Sequence, residues 1–198
     1  MKLTQTGYAI LGLLAIEPNQ SGYEIRRTVQ DSVGFFWGES YGQIYPTLKR
    51  LADGGLIAPT EVTGAGKKRT QRFSLTASGY ARLQEWLAMP YREDPPRDEF
   101  LLKLFFGREA APEISIAHVK QYQERLRSLL AVLEQLERLG QLHNNGNPGM
   151  PFWMLTLSFG MGQLRAGLEW SESAMALLTS QQAALACSQP PAPFAPQD

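Results

Sequence analysis

Cysteine is all but missing from this chain: Cys187 is the only one in 198 residues. An internal disulfide and a cysteine metal site are therefore excluded. Histidine is nearly as scarce, and His118 and His143, about a helix length apart without clustered acids, make a poor metal site. No sign of charge dominates, because 19 Lys and Arg balance 19 Asp and Glu. Long hydrophobic runs are also lacking. The longest, 9–16 and 152–161, are too short or too interrupted by glycine to span a bilayer, and no basic-then-apolar leader opens the chain. The expectation is a cytoplasmic protein with no cofactor, no metal and no membrane contact.

What is there suits one or two globular domains, with 43% hydrophobic and 19% charged residues. The zero net charge is uneven along the chain. Residues 1–85 hold ten basic against seven acidic residues (+3), and residues 86–198 hold nine against twelve (−3). A basic front and an acidic back are the reading.

The organising stretch is 40–57, SYGQIYPTLKRLADGGLI. Ser40 with Gln43 three residues on fits a capping box. Ile44, Leu48 and Leu51 line one helical face, and Gln43, Thr47, Lys49 and Arg50 are read onto the opposite one. Gly54-Gly55 stops the helix. Pro46 either bends it or moves its true start to about Ile44.

Before this stretch, 4–16 reads as a helix with Ile10, Leu11, Leu13 and Leu14 inward. Ser21 and Glu24 form a second capping box, opening a helix to about Val33 with Tyr23, Ile25 and Val29 inward. After it, 57–62 and 70–75 flank a glycine-rich, basic turn, a hairpin signal. A helix from Thr76 to about Met89 follows, with Tyr80, Leu83, Trp86 and Leu87 inward. Helix–helix–helix–hairpin–helix is the order of a winged helix-turn-helix, here over 1–89, with a proline-rich linker at 90–97. A helical dimerisation domain is expected over 98–187. Its long helices, 115–142 and 152 to about 186, carry wide apolar stripes that call for a partner, and Leu126, Leu129, Leu133, Leu136, Trp153, Phe159 and Trp170 are the expected dimer contacts. Residues 188–198, with four prolines, read as a disordered tail. The fold class expected is mainly α.

The chemistry this supports is binding to double-stranded DNA. Cationic hairpin residues Lys67, Lys68, Arg69 and Arg72 reach phosphates and release counterions, while a helix reads base edges. Gln43 suits bidentate contact with adenine and Thr47 the thymine methyl. Ser40, Lys49 and Arg50 complete the surface with Tyr41 and Tyr45, of which Tyr45 serves equally as a core residue. Two other readings compete. Gly38-Glu39-Ser40-Tyr41-Gly42 matches the G-x-S-x-G elbow of serine hydrolases, but that elbow needs a buried parallel sheet, and one hairpin's worth of strands does not supply it. A winged helix can also be a protein-interaction module. The aromatics Phe35, Phe36, Trp37, Trp86, Phe105 and Phe106 are read as core and interface ahead of an effector pocket.

Taken together, SGYEIRRTVQ, SYGQIYPTLKRLADGGLI, KKRTQRFSLTASGYARLQEWL and EFLLKLFF resemble the PadR family of bacterial transcriptional regulators, in its branch with the larger, AphA-like C-terminal region. The resemblance is close from about Leu3 to Phe106 and looser through the two long helices. It implies a winged-helix homodimer on an inverted-repeat operator, usually repressing transcription, and in some relatives released by a small aromatic ligand. The recognition helix would map onto Tyr45-Pro46 and the wing onto 64–72. Two-fold symmetry would set two such helices about one DNA turn apart, roughly 10 bp.

Overall fold

The computed structural model describes residues 3–31, 41–63, 69–91, 97–142 and 146–188. The chain divides into two compact units, Met1–Asp94 and Pro95–Asp198.

The first unit is built around α1 (Gln5–Ile16). The Thr4 hydroxyl accepts from the Gly7 N–H at 3.4 Å to start it, and Ile10, Leu11 and Leu14 are fully enclosed. Next, Gln20–Ser21 forms a two-residue strand, β1, that the sequence does not announce. It runs straight into α2 (Gly22–Asp31), where the expected capping box forms in both directions: Glu24 N–H donates to Ser21 Oγ at 3.2 Å and Ser21 N–H to Glu24 Oε2 at 2.7 Å. Ile25 and Val29 face the core, but Tyr23 is 67% exposed, against expectation. Two residues before Ile25, it is rotated about 200° around the helix from that apolar line.

A 3-10 turn, Tyr41–Gln43, leads into α3 (Ile44–Asp53). Of the two consequences foreseen for Pro46, the later start is the one realised. Proline is the third helical residue, where its missing N–H would have had no partner in the helix, so it costs no hydrogen bond. Gln43 supplies no side-chain cap, and Ser40, the expected cap, lies outside the described residues. The C-terminus closes as a Schellman turn, with Gly55 left-handed at φ +68°, Gly55 N–H on Ala52 O and Leu56 N–H on Leu51 O, both at 2.9 Å.

Strands β2 (Ile57–Thr63) and β3 (Arg69–Leu75) pair antiparallel from Ile57↔Leu75 to Thr63↔Arg69. β1 adds to the other edge of β3 through Gln20↔Phe73 and Ser21↔Arg72, giving the order β1-β3-β2. Helix α4 (Ala77–Leu87) is capped by the Thr76 hydroxyl, which accepts from Gly79 N–H at 3.0 Å. Only Leu83 of its expected inward residues is buried; Trp86 stacks on Tyr8 at 4.7 Å, while Tyr80 and Leu87 are exposed. The buried row of α4 is Gly79 and Leu83, four residues apart, with Trp86 one turn further on against Tyr8.

In the second unit, Asp98 Oδ1 caps α5 (Glu99–Phe105) by accepting from Phe100 and Leu101 N–H. A second 3-10 turn, Gly107–Glu109, precedes α6 (Pro112–Leu142), and α7 (Met150–Ser188) folds back along α6 as an antiparallel hairpin. The pairing is pinned near opposite ends by Gln182 on Glu113 at 2.7 Å and by Gly140 against the Met154 sulfur. The buried seam of α6, Ser115, Val119, Leu126 and Leu133, and that of α7 from Met161 through Leu164 to Ser171, follow threes, fours and sevens, the period of a coiled coil, with Met150 buried eleven residues before Met161. Two glycines admit the knobs: a Cβ on Gly167 would stand 2.8 Å from Leu126 Cδ1, and one on Gly160 3.3 Å from Leu133 Cδ1.

Among the described residues no helix is long and apolar enough to cross a membrane. The tail 189–198 falls outside the described residues.

Glycine at 79 is required for space, since a Cβ there would lie 2.0 Å from the Leu56 carbonyl oxygen, whereas one on Gly12 would meet nothing within 4 Å. Gly79→Ala is expected to destabilise the chain by about 1–3 kcal/mol or more, and Gly12→Ala to stabilise it by up to ~1 kcal/mol. Urea unfolding followed by circular dichroism checks both signs.

Candidate nucleic-acid interface

The outer surface of α3 carries Gln43, Tyr45, Lys49 and Arg50, all exposed. Thr47 is not among them. It is 2% exposed, because it stands with Ile44, Leu48 and Leu51 at i, i+3, i+4 and i+7 on the buried row. Its hydroxyl accepts from Arg50 Nη2 at 2.9 Å, which ties the arginine back along the helix. The expectation that Thr47 faces outward is corrected by that spacing, which was in the sequence. Tyr45 resolves its ambiguity toward the surface: it is 55% exposed, with its ring edge resting over Gly22, where a Cβ would come within 2.7 Å of Cε1. Glycine at the first position of α2 thus gives the tyrosine its seat.

Beside this row α2 exposes Tyr23, Arg26 and Arg27. These were missed as interface candidates, and the legible signal was two adjacent arginines on the polar side of a capped helix. Among the hairpin cations, Lys67 and Lys68 lie outside the described residues, as do the side chains of Arg69 and Tyr41. The backbone of Arg69 opens β3, opposite Thr63, at the other end of the strand pair from Ile57 and Leu75.

Arg72 is a second correction. Its guanidinium is engaged within the chain: Nη1 donates to Glu24 Oε2 at 2.7 Å and to Asn19 O at 3.1 Å, and Nη2 to Glu24 Oε1 at 2.6 Å. The Ser21 N–H bond above all, with the Ser21 hydroxyl and the Arg72 charge, holds the Glu24 carboxyl below the ordinary carboxylate range against the opposing effect of burial. The sequence hid this because the partners are 48 residues apart.

The dimer contacts expected on the long helices divide as well. Leu126 and Leu133 fill the α6–α7 seam of their own chain, with Leu129 and Leu136 half-buried beside them, so the first two are corrected to intrachain packing. Trp170 packs edge-on against Phe100 and Tyr122 at about 6 Å. Trp153 and Phe159 are exposed, the latter in a row with Phe152 and Leu155 on a face of α7 turned away from α6. Between α5 and α6 a cleft of about 470 Å³ is lined by Phe100 and Tyr122, stacked at 4.4 Å, and edged by Arg97, Asp98, His118, Arg125 and the paired Lys103 and Glu99.

The hydrolase elbow has no supporting frame among the described residues. The sheet is antiparallel throughout, Gly42 belongs to a 3-10 turn, and Ser40 and His143 lie outside the described residues.

Both units have counterparts among known proteins. The profile of the Transcriptional regulator PadR-like family matches residues 10–85, and that of the Virulence activator alpha C-term matches 96–179. The Negative transcriptional regulator PadR of Bacillus subtilis (strain 168) is 30% identical over 177 residues, covering 86% of this chain and 96% of the relative. The crystal structure of Bacillus subtilis PadR in complex with operator DNA superposes with a TM-score of 0.76 at 28% identity, covering 87% of this chain and 98% of that one. The same regulator in complex with p-coumaric acid gives 0.69 at 28% identity, covering 87% and 97%. With a relative 30% identical over 86% of this chain and 96% of its own length, and the PadR-like model matched over residues 10–85, the chain belongs to the PadR family of transcriptional regulators.

Proposed function

We propose that this chain represses transcription in the cytoplasm as a homodimer that binds an inverted-repeat DNA operator and is released by a small aromatic ligand. It acts by binding and not by catalysis. The observation that carries the reading is the two-faced α3: Ile44, Thr47, Leu48 and Leu51 lock it to the core, and Gln43, Tyr45, Lys49 and Arg50 stand outward beside a basic hairpin. A helix so held enters the major groove as a rigid element, with Gln43 and Tyr45 at its leading end. The operator complex of the Bacillus relative supports the same use.

The dimer reading rests on α7. Phe152, Leu155 and Phe159 are each at least 66% exposed at steps of three and four, and the next step is Gly162, where a Cβ would meet open space. An apolar row ending in a notch that nothing in its own chain fills suits close approach of a second helix. The effector reading rests on the α5–α6 cleft. Among the described residues, neither Arg97 nor Arg125 has a hydrogen-bond or ion-pair partner, and both edge a floor of stacked aromatic rings. A flat ring bearing a carboxylate matches both features.

Each element has its own measurement. Neutralising Lys67, Lys68 and Arg69 together should weaken binding to every DNA sequence and flatten the salt dependence by about 0.9 per lost phosphate contact; an unchanged slope removes the wing from the interface. Gln43→Ala should instead shift sequence preference in a selection experiment, at about 1–3 kcal/mol for a bidentate contact.

Leu155→Glu with Phe159→Glu should give a folded monomer by sedimentation, because each covered Leu or Phe is worth about 1.5–3 kcal/mol.

Arg97→Gln with Arg125→Gln should raise the p-coumarate concentration that releases DNA by about tenfold or more, as loss of one charge-assisted bond implies. Release at the wild-type concentration would move the effector elsewhere.

A further inference from the structure

Glu24 is shared by three elements. Its carboxylate closes the capping box of α2, grips the guanidinium of Arg72 on β3 through both oxygens, and by way of Arg72 reaches the carbonyl of Asn19 beside β1. Asn19 itself is left-handed, at φ 61°, so the chain bends to present that carbonyl. The pair is not a core feature. The Arg72 side chain is 26% exposed and that of Glu24 44%, so water reaches both. Arg72 stands on the central strand, opposite Thr60 and Ser21, three residues from the basic start of β3 at Arg69.

Exposure makes Arg72 a cation that a phosphate backbone could recruit. Its geometry prevents this, since every bond named above holds the fork toward α2. Phosphate contacts strengthen binding to any sequence and carry no base information. A regulator depends on the ratio of operator affinity to affinity for all other DNA, so one extra free cation lowers discrimination while raising affinity.

We propose that Glu24 is a specificity-determining residue: it withholds Arg72 from DNA phosphates and fixes the hairpin to the start of α2. This rests on the DNA-binding reading above. Glu24 touches no DNA in this account and acts through Arg72, as a positioning residue.

The sequence offers a clean variant. A capping box accepts Gln in place of Glu at this position, so Glu24→Gln keeps an acceptor for the Ser21 N–H while removing the charge and one of the two oxygens that hold Arg72. The full-length wild type, Glu24→Gln, Arg72→Gln and the double variant are compared on two probes between 50 and 200 mM salt. One probe is a duplex that the wild type recovers from a random pool, and the other is poly(dI–dC). Glu24→Gln is expected to bind poly(dI–dC) more tightly, by roughly tenfold per released guanidinium at 50 mM salt, with a salt slope steeper by about 0.9 for each. Discrimination between the probes falls by a similar factor. Arg72→Gln alone leaves the poly(dI–dC) slope at the wild-type value, and the double variant loses the gain. Arg72→Lys, which keeps the charge but not the fork, moves the same quantities in the same direction.

A Glu24→Gln protein with wild-type slope and wild-type discrimination overturns the proposal. So does a gain that survives in the double variant, or an equal loss on both probes at unchanged slope, which is what a purely structural role produces. Recovery of no duplex by the wild type overturns the DNA-binding reading itself, and the proposal with it.

Discussion

The carbonyl of Leu56 is the joint on which the winged unit depends. Leu56 follows the glycines that end α3, and its own N–H closes the Schellman turn onto Leu51. Its carbonyl then accepts from the N–H of Thr76 at 3.2 Å and from the Thr76 hydroxyl at 3.0 Å, the same hydroxyl that caps α4. One backbone position therefore sets the end of the recognition helix, the first residue of the hairpin and the start of the last helix. The absence of a side chain at Gly79 is what lets α4 come that close. Because ends of three elements converge there, the angle of α3 to the hairpin is a property of the core, not of loop chemistry.

The second unit solves a different problem with apolar surface. Helix α7 carries too many large apolar residues for one seam, and it distributes them over two. Met161 and Leu164 face α6, whereas Phe152, Leu155 and Phe159 do not. The glycines divide in the same way: Gly160 and Gly167 are filled by Leu133 and Leu126, and Gly162 is not filled. Glycine inside a helix costs about 1 kcal/mol relative to alanine, and at Gly160 and Gly167 the close approach of a leucine is what requires it.

Charge in this protein is better judged by which groups are engaged than by how many there are. The +3 of residues 1–85 includes Arg72, which Glu24 neutralises in place, and Arg50, which is drawn onto Thr47. On α3, Lys49 stands exposed on the side away from the buried row. A smaller, directed set of charges favours discrimination over raw affinity.

Capping boxes, glycine stops and apolar periodicity are local, and the sequence by itself determined everything that depended on them. The Ser21–Glu24 cap, the Gly54-Gly55 stop, the hairpin, the start of α3 near Ile44 and the long helix pair were legible because each is encoded within a few residues of where it acts. The outward placement of Gln43, Lys49 and Arg50 was legible for the same reason, and the burial of Thr47 would have been, had its spacing from Ile44 and Leu51 been followed. Tertiary structure alone decided the rest. It added β1, which exists only because β3 has a free edge; it paired Arg72 with Glu24 across 48 residues; and it sorted the leucines of α6 into an intrachain seam. These depend on which surfaces meet, and a one-dimensional pattern records that a face is apolar without recording what will cover it.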